Sequence, residues 1–134
     1  MHDTFGHIYV YRSYGVHFCL NFTTDQSMTG AILIRAAEPL EGIAQIRRRR
    51  GQIEDCSLCK GPGNLTSALG VTLALNKSPI GEKLMVYHGK AIRVAQSTRI
   101  GIRKAKDLPW RFFDPDSTSV SGSSFLNRSA SLIL

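Results

Sequence analysis

His7-Ile-Tyr-Val-Tyr-Arg-Ser-Tyr-Gly-Val-His-Phe-Cys-Leu-Asn-Phe-Thr23 is the stretch on which the fold turns. It is dense in β-branched and aromatic residues and is broken once, by Gly15, which takes the positive φ of a tight turn without steric cost. Two strands joined near Tyr14-Gly15 are predicted. Side chains alternate between the faces of a strand, so Tyr9 and Tyr11 share one face. Beyond a polar loop through Asp25, Gln26 and Ser27, the apolar run from Ala31 to Ala37 reads as a buried third strand ended by Pro39.

Downstream of this hairpin the period changes. Leu40, Ile43 and Ile46 recur at helical spacing, Arg47 to Arg50 follow on the same stretch, and Gly51 is a natural stop. A second helix is expected after Gly61-Pro62-Gly63, with Leu65, Ala68 and Leu69 on one face. Four short strand-like runs come next, at Lys83 to Tyr87, Ala91 to Ala95, Arg99 to Arg103 and Pro109 to Phe113, set apart by turn residues such as His88-Gly89. From Asp114 the composition shifts to Ser, Thr, Gly and Asp. The expectation is a single α+β domain over residues 1–116, with a curved and mostly antiparallel sheet, a protruding hairpin and flanking helices, then a Ser-rich mobile tail over 117–134.

Composition narrows the function. In 134 residues, 17 Lys and Arg against 10 Asp and Glu leave a formal charge of +7, so the partners to expect are polyanions, nucleic acid before an anionic membrane. With 43% hydrophobic residues the chain has the material for a core, which excludes wholesale disorder. No apolar run approaches the ~18 residues of a membrane helix, and Met1-His2-Asp3 does not open a secretory signal. A cytoplasmic protein, nucleoid-associated if bacterial, follows. Three cysteines without an export signal point to reduced thiols.

Several constellations carry chemistry. Tyr9, Tyr11 and Tyr14 beside Arg12 put stacking faces next to positive charge, which is what unstacking a base requires, although tyrosines also simply pack well in strands. Arg47, Arg48, Arg49 and Arg50, with Lys60, Arg99, Arg103, Lys104 and Lys106, supply cations for phosphates, and the four helix-end arginines also suit the negative end of the helix dipole. Gly61-Pro62-Gly63-Asn64 opens a helix toward an anion but lacks the Gly-Lys-Ser/Thr of a phosphate loop. Cys56-Ser-Leu-Cys59 has the spacing of half a zinc site, with His17 and Cys19 as conceivable partners, yet a structural site ordinarily shows two such pairs and ordinary thiols are the reading adopted. Among carboxylates, Glu38, Glu41, Asp107, Asp114 and Asp116 are candidates for acid–base work, and Glu38 suits a buried carboxylate paired to an arginine equally well.

Five blocks in order, Tyr9-Val-Tyr-Arg-Ser-Tyr-Gly-Val-His-Phe-Cys-Leu-Asn21, Ala31-Ile-Leu-Ile-Arg-Ala-Ala-Glu-Pro-Leu-Glu-Gly42, Arg47 to Gly51, Leu58-Cys-Lys-Gly-Pro-Gly-Asn-Leu65 and Arg99-Ile-Gly-Ile102, resemble the alkyladenine (3-methyladenine) DNA glycosylase family from about residue 5 to residue 121. The resemblance implies a monofunctional base-excision enzyme that acts on double-stranded DNA containing damaged purines, works as a monomer, and uses no cofactor, metal or membrane. By the same resemblance Tyr14 is the intercalating tyrosine, with Gly15, Val16 and His17 beside it in the minor groove. Tyr11 stacks on the flipped base and Asn21 meets the purine edge. Arg35 positions the hydrolytic water and Arg50 falls where an arginine contacts the DNA backbone, a contact that charge alone also assigns to Arg47, Lys60 and Arg99. The family's Glu-Thr-Glu-Ala-Tyr-like segment, whose glutamate activates water and which precedes the hairpin, has no counterpart here, nor does the histidine that follows it. The expectation is a truncated chain of impaired hydrolytic rate, and Asn64 stands where some relatives carry a basic residue. The alternative is a basic nucleic-acid-binding module without chemistry.

Overall fold

A computed structural model of the chain describes residues 6–24, 30–90 and 92–134. The hairpin forms as its sequence dictates: β1 (Ile8–Ser13) and β2 (His17–Thr23) run antiparallel from Ile8 opposite Phe22 to Ser13 opposite His17. Tyr14 and Gly15 both take positive φ, 51° and 69°, which reverses the chain within three residues. β2 then pairs with β3 (Ala31–Leu33), giving the order β1-β2-β3. The polar loop expected through Asp25, Gln26 and Ser27 lies outside the described residues.

One face of the hairpin builds the core. Ile8, Val10 and Leu20 meet Ile46 of α1 (Ile43–Arg50) and Leu65 and Ala68 of α2 (Pro62–Leu69), with Leu58, Cys59 and Val71 closing the cluster. Burial of these side chains, at roughly 1.5–3 kcal/mol for each large one, is the main force holding the hairpin to the helices. The first helix ends at Gly51, as the sequence proposes. The Gly51 N–H reaches the Arg47 carbonyl at 2.7 Å. At the end of α2 the Gly70 N–H bonds the Ser67 carbonyl and the Val71 N–H bonds the Thr66 carbonyl, a Schellman closure whose left-handed Gly70 also lets Val71 turn into the core. The Thr66 hydroxyl donates to the Phe18 carbonyl at 3.0 Å and ties α2 to β2.

The outer edge of β1 is occupied. Ile8 N–H donates to Ser78 O, Lys77 N–H donates to Ile8 O, and Val10 N–H donates to the Asn76 side chain, so residues 76–80 satisfy the edge that a lone hairpin would leave open. A second antiparallel sheet takes the order β5-β4-β6 from β4 (Ala95–Ser97), β5 (Arg111–Phe113) and β6 (Ser131–Leu132), with α3 (Ser124–Arg128) before its last strand. The result is a mixed α+β domain, and no helix among the described residues is long and apolar enough to cross a membrane.

Several local expectations are corrected. The run at 31–37 is a three-residue strand, and Ile32 is exposed, because its outer side faces a cavity and not a packed layer. Lys83 to Tyr87 forms no strand: Val86 and Tyr87 project outward, and among the described residues no strand pairs with them. Arg99 to Arg103 is interrupted by Gly101 at a φ of 72°. The pairing expected at 91–95 and 109–113 begins later, at Ala95 and Arg111, and Ala91 itself lies outside the described residues. Within residues 117–134 lie α3 and β6, and Ser119 and Ser121 are buried. Small polar side chains hide their packing from composition, since here they are buried by hydrogen bonding and not by apolar area.

Candidate nucleic-acid interface and base site

The tip of the hairpin stands clear of the body. Tyr14 is 90% exposed and Val16 74% exposed, and Tyr14 holds a left-handed φ that a bulky residue rarely adopts. The ring therefore stands outside the core, on a backbone that costs energy to form. At the root of the turn, His17 lies directly against the N-terminus of α2: a Cβ placed on Gly63 would come within 2.9 Å of the His17 ring.

On the hairpin face turned away from the core, Tyr9 and Tyr11 lie side by side with ring centroids 5.7 Å apart. Across β2 sit Asn21, opposite Tyr9, and Cys19, opposite Tyr11. The Asn21 amide donates to the carbonyls of Tyr9 and Cys19, both at 3.3 Å, which locks the buried side chain and leaves its oxygen as the group able to accept from a ligand. Burial, reinforced by a hydrogen bond with the Cys19 thiol, pushes the Tyr11 phenol up to about 12, so its ring meets a ligand uncharged.

Arg35 follows β3 and links this face to a cavity of about 790 Å³ between the two sheets, lined among others by Ile32, Glu38, Arg99, Trp110 and Arg111. Burial lowers the Arg35 pKa, the Cys19 thiol counteracting and nearby Arg99 adding to the shift. The guanidinium nonetheless stays charged at any physiological pH. Its Nε donates to the Ser121 hydroxyl at 3.4 Å. Arginines converging beside aromatic walls give a cavity that attracts anionic groups and can orient a water. Glu38 is exposed, not a buried partner of an arginine, because the segment past β3 opens onto this cavity. Asp114 lines the same cavity, whereas Asp116 pairs with Arg93 at 3.1 Å.

The expected backbone-contacting cations divide. Arg47 forms an ion pair with Asp55, Arg49 donates to the Ala68 carbonyl at 2.9 Å, and Arg50 donates to the Leu58 carbonyl at 2.9 Å. These three staple α1 to its neighbours, while Arg48 is exposed. Half-buried Lys60 reaches the Thr118 carbonyl at 3.4 Å, and Arg99 lines the cavity. The hairpin tip, the Tyr11–Asn21 face and Arg35 are thus brought together on one structural unit, and Arg47 and Arg50 stand apart from it. Cys56 and Cys59 do not gather with His17 and Cys19, and among the described residues no three His, Cys, Asp or Glu side chains converge as a metal would need.

Sequence reasoning missed Arg111, Ser121 and Asn127. Arg111 is 3% exposed and donates to the Ser97 hydroxyl, the Ser121 carbonyl and the Asn127 side chain while lying over the Phe113 ring. The signal was a lone arginine inside the run Trp110-Arg-Phe-Phe113: a cation among aromatics in a strand is either solvated or buried with partners.

Comparison with known proteins bears on the whole assembly. The family model of methylpurine-DNA glycosylase (MPG) matches residues 1–118. The chain belongs to the methylpurine-DNA glycosylase family. Among its relatives, each carrying the name "Putative 3-methyladenine DNA glycosylase", the Bradyrhizobium diazoefficiens protein is 46% identical over 126 residues, covering 92% of this chain and 60% of the relative. That of Rhodopseudomonas palustris (strain CGA009) is 45% identical, covering 87% of this chain and 58% of the relative. That of Methanoculleus marisnigri is 42% identical, covering 87% of this chain and 65% of the relative. This glycosylase-family chain therefore spans about three-fifths of the length of the curated relatives it matches. The match contains the hairpin, Arg35 and α1 and α2, and stops before Ser121.

Proposed function

We propose that this chain recognises damaged purines in double-stranded DNA and serves base-excision repair, as a monomeric, cytoplasmic glycosylase that hydrolyses the N-glycosidic bond of alkylated purines such as 3-methyladenine. Tyr14 fills the gap left by the flipped nucleotide, Val16 and His17 lie beside it in the minor groove, and Gly15 permits the turn. Tyr11 stacks on the flipped base, Asn21 meets the purine edge, Arg35 holds the attacking water, and Lys60 and Arg99 meet the sugar–phosphate chain with Arg47 and Arg50 at its margin. The observation that carries this reading is the outward ring of Tyr14, 90% exposed, on the same strand pair as Tyr11 and Asn21. Damaged bases cost less to extrude, and an alkylated ring is electron-poor, so an uncharged tyrosine face favours it over intact purines. Attack of water at the sugar carbon needs no cofactor.

A second reading, a non-catalytic basic nucleic-acid-binding module, is favoured by one observation: among the described residues Arg35 hydrogen-bonds a serine hydroxyl and no carboxylate. The two part in an excision assay on a duplex carrying one ethenoadenine, with the Bradyrhizobium diazoefficiens relative run alongside and abasic sites revealed by alkaline cleavage. Lesion-dependent cleavage supports the glycosylase. Salt-sensitive binding with equal affinity for lesion-bearing and intact duplex, and no cleavage, overturns it in favour of the module.

A further inference from the structure

The geometry points to Ser121 as a positioning residue that sets the orientation of the Arg35 guanidinium, with buried Arg111 clamping Ser121 in place from behind. The consequence for DNA rests on the function proposed above; the contact itself does not. Residues 119–134 lie beyond the segment matched by the family, and by composition they look like a tail. Yet they reach the cavity. Ser121 is 7% exposed, its hydroxyl accepts from Arg35 Nε at 3.4 Å, and its own carbonyl accepts from Arg111 Nη2 at 2.6 Å.

Arg111 is an expensive residue to place there. It is 3% exposed, and its partners are neutral: the Ser97 hydroxyl at 2.8 Å, the Ser121 carbonyl, the Asn127 amide oxygen at 2.6 Å, and the face of Phe113 at 4.2 Å. A buried cation without a bonded carboxylate carries a desolvation cost that an apolar side chain would avoid. What the arginine supplies in return is a planar fork joining three segments at fixed angles, namely β4, the 119–122 segment and α3. The segment is also pressed in closely. Gly122 has a φ of +92°, and a Cβ there would lie 2.9 Å from Ile100 Cδ1 and 3.4 Å from Arg111 Nη2. Ser121 is therefore held from its carbonyl side while its hydroxyl engages the one Arg35 nitrogen that fixes the plane of the guanidinium, leaving the two terminal nitrogens directed by that choice. Gly101, whose Cβ would stand 3.7 Å from Arg35 Nη2, leaves room on that side.

The test uses the full chain and two readouts. In nitrogen-edited NMR spectra, the Arg35 Nε–H of the native protein, assigned by its loss in Arg35→Gln, is expected to exchange slowly with water. Ser121→Ala should speed that exchange several-fold and Ser121→Thr, which keeps the hydroxyl, should restore it, with the thermal midpoint of all variants held in view. In the second readout, Ser121→Ala should weaken binding of the ethenoadenine duplex about two- to tenfold in the native background, the range of one hydrogen bond, and leave it unchanged in an Arg35→Gln background. An Arg35 Nε–H unaffected by Ser121→Ala overturns the proposal, as does an equal loss of affinity in both backgrounds, which would mark a merely structural serine. If the native chain fails to distinguish lesion-bearing from intact duplex, the functional reading fails while the exchange measurement still decides whether Ser121 holds Arg35.

Discussion

Tyr14 carries its strain and its exposure together. The backbone at φ 51° costs about 1–2 kcal/mol in a non-glycine residue, and the hairpin around it tolerates that cost because Ile8, Val10 and Leu20 anchor both strands. Tyr14→Ala should leave folding stability within about 0.5 kcal/mol, since the ring touches little, and should weaken lesion-duplex binding by roughly 5- to 150-fold, the equivalent of ~1–3 kcal/mol for a lost stacking partner. Fluorescence anisotropy beside thermal melting separates the two effects. Tyr11 offers a second measurement. Its folded pKa of about 12 lies above the unfolded value of 10.0, so the folded state keeps its proton longer, and the stabilisation present below pH 10 is lost as pH rises through 12. Phenolate absorbance should show a component with a midpoint near 12 that Tyr11→Phe abolishes. The thiols divide by the same physics: burial pushes Cys59 up, the Arg50 charge opposing it, and the side chain is 1% exposed. Alkylation at pH 8 should reach half-buried Cys56 well before Cys59, read by peptide mass spectrometry; equal rates would contradict the packing.

At the scale of elements, the hairpin and the two helices were legible in the sequence, because each is marked by local chemistry: a glycine that permits reversal, apolar residues at strand or helix period, a glycine that stops the first helix. The join between them was not. Gly63 sits in α2 with ordinary helical φ, where alanine would normally help by ~1 kcal/mol, but its Cβ would drive into the His17 ring at 2.9 Å. Gly63→Ala should therefore destabilise by about 1–3 kcal/mol and shift His17 and Tyr14 amide resonances. The four arginines of α1 likewise read alike, as cations for phosphates, yet they have different duties. Arg49→Ala should lower stability by about 1 kcal/mol through the lost bond to Ala68. Arg48→Ala should leave stability alone and reduce the salt dependence of duplex binding by about one charge. The third strand was over-read because a continuous apolar run looks the same whether it is sandwiched or lines a cavity.

For the molecule as a whole, a net charge of +7 foretold a polyanionic partner, and it foretells that log affinity for duplex falls linearly with log salt, by about 0.9 per phosphate neutralised. A flat salt response in filter binding would remove the electrostatic grip altogether. The sequence by itself determined the hairpin, its turn, the faces of its tyrosines, the end of the first helix and the family, because all of these depend on neighbours within a few residues or on the order of whole blocks. Only the tertiary structure decided that Ser119 and Ser121 are buried, that Arg111 is buried beside Ser121, and that Arg35 sits where the hairpin face meets the cavity. Those contacts join residues 10 to 86 positions apart in the chain, and a hydrogen bond over such a span leaves no period, spacing or composition by which to read it.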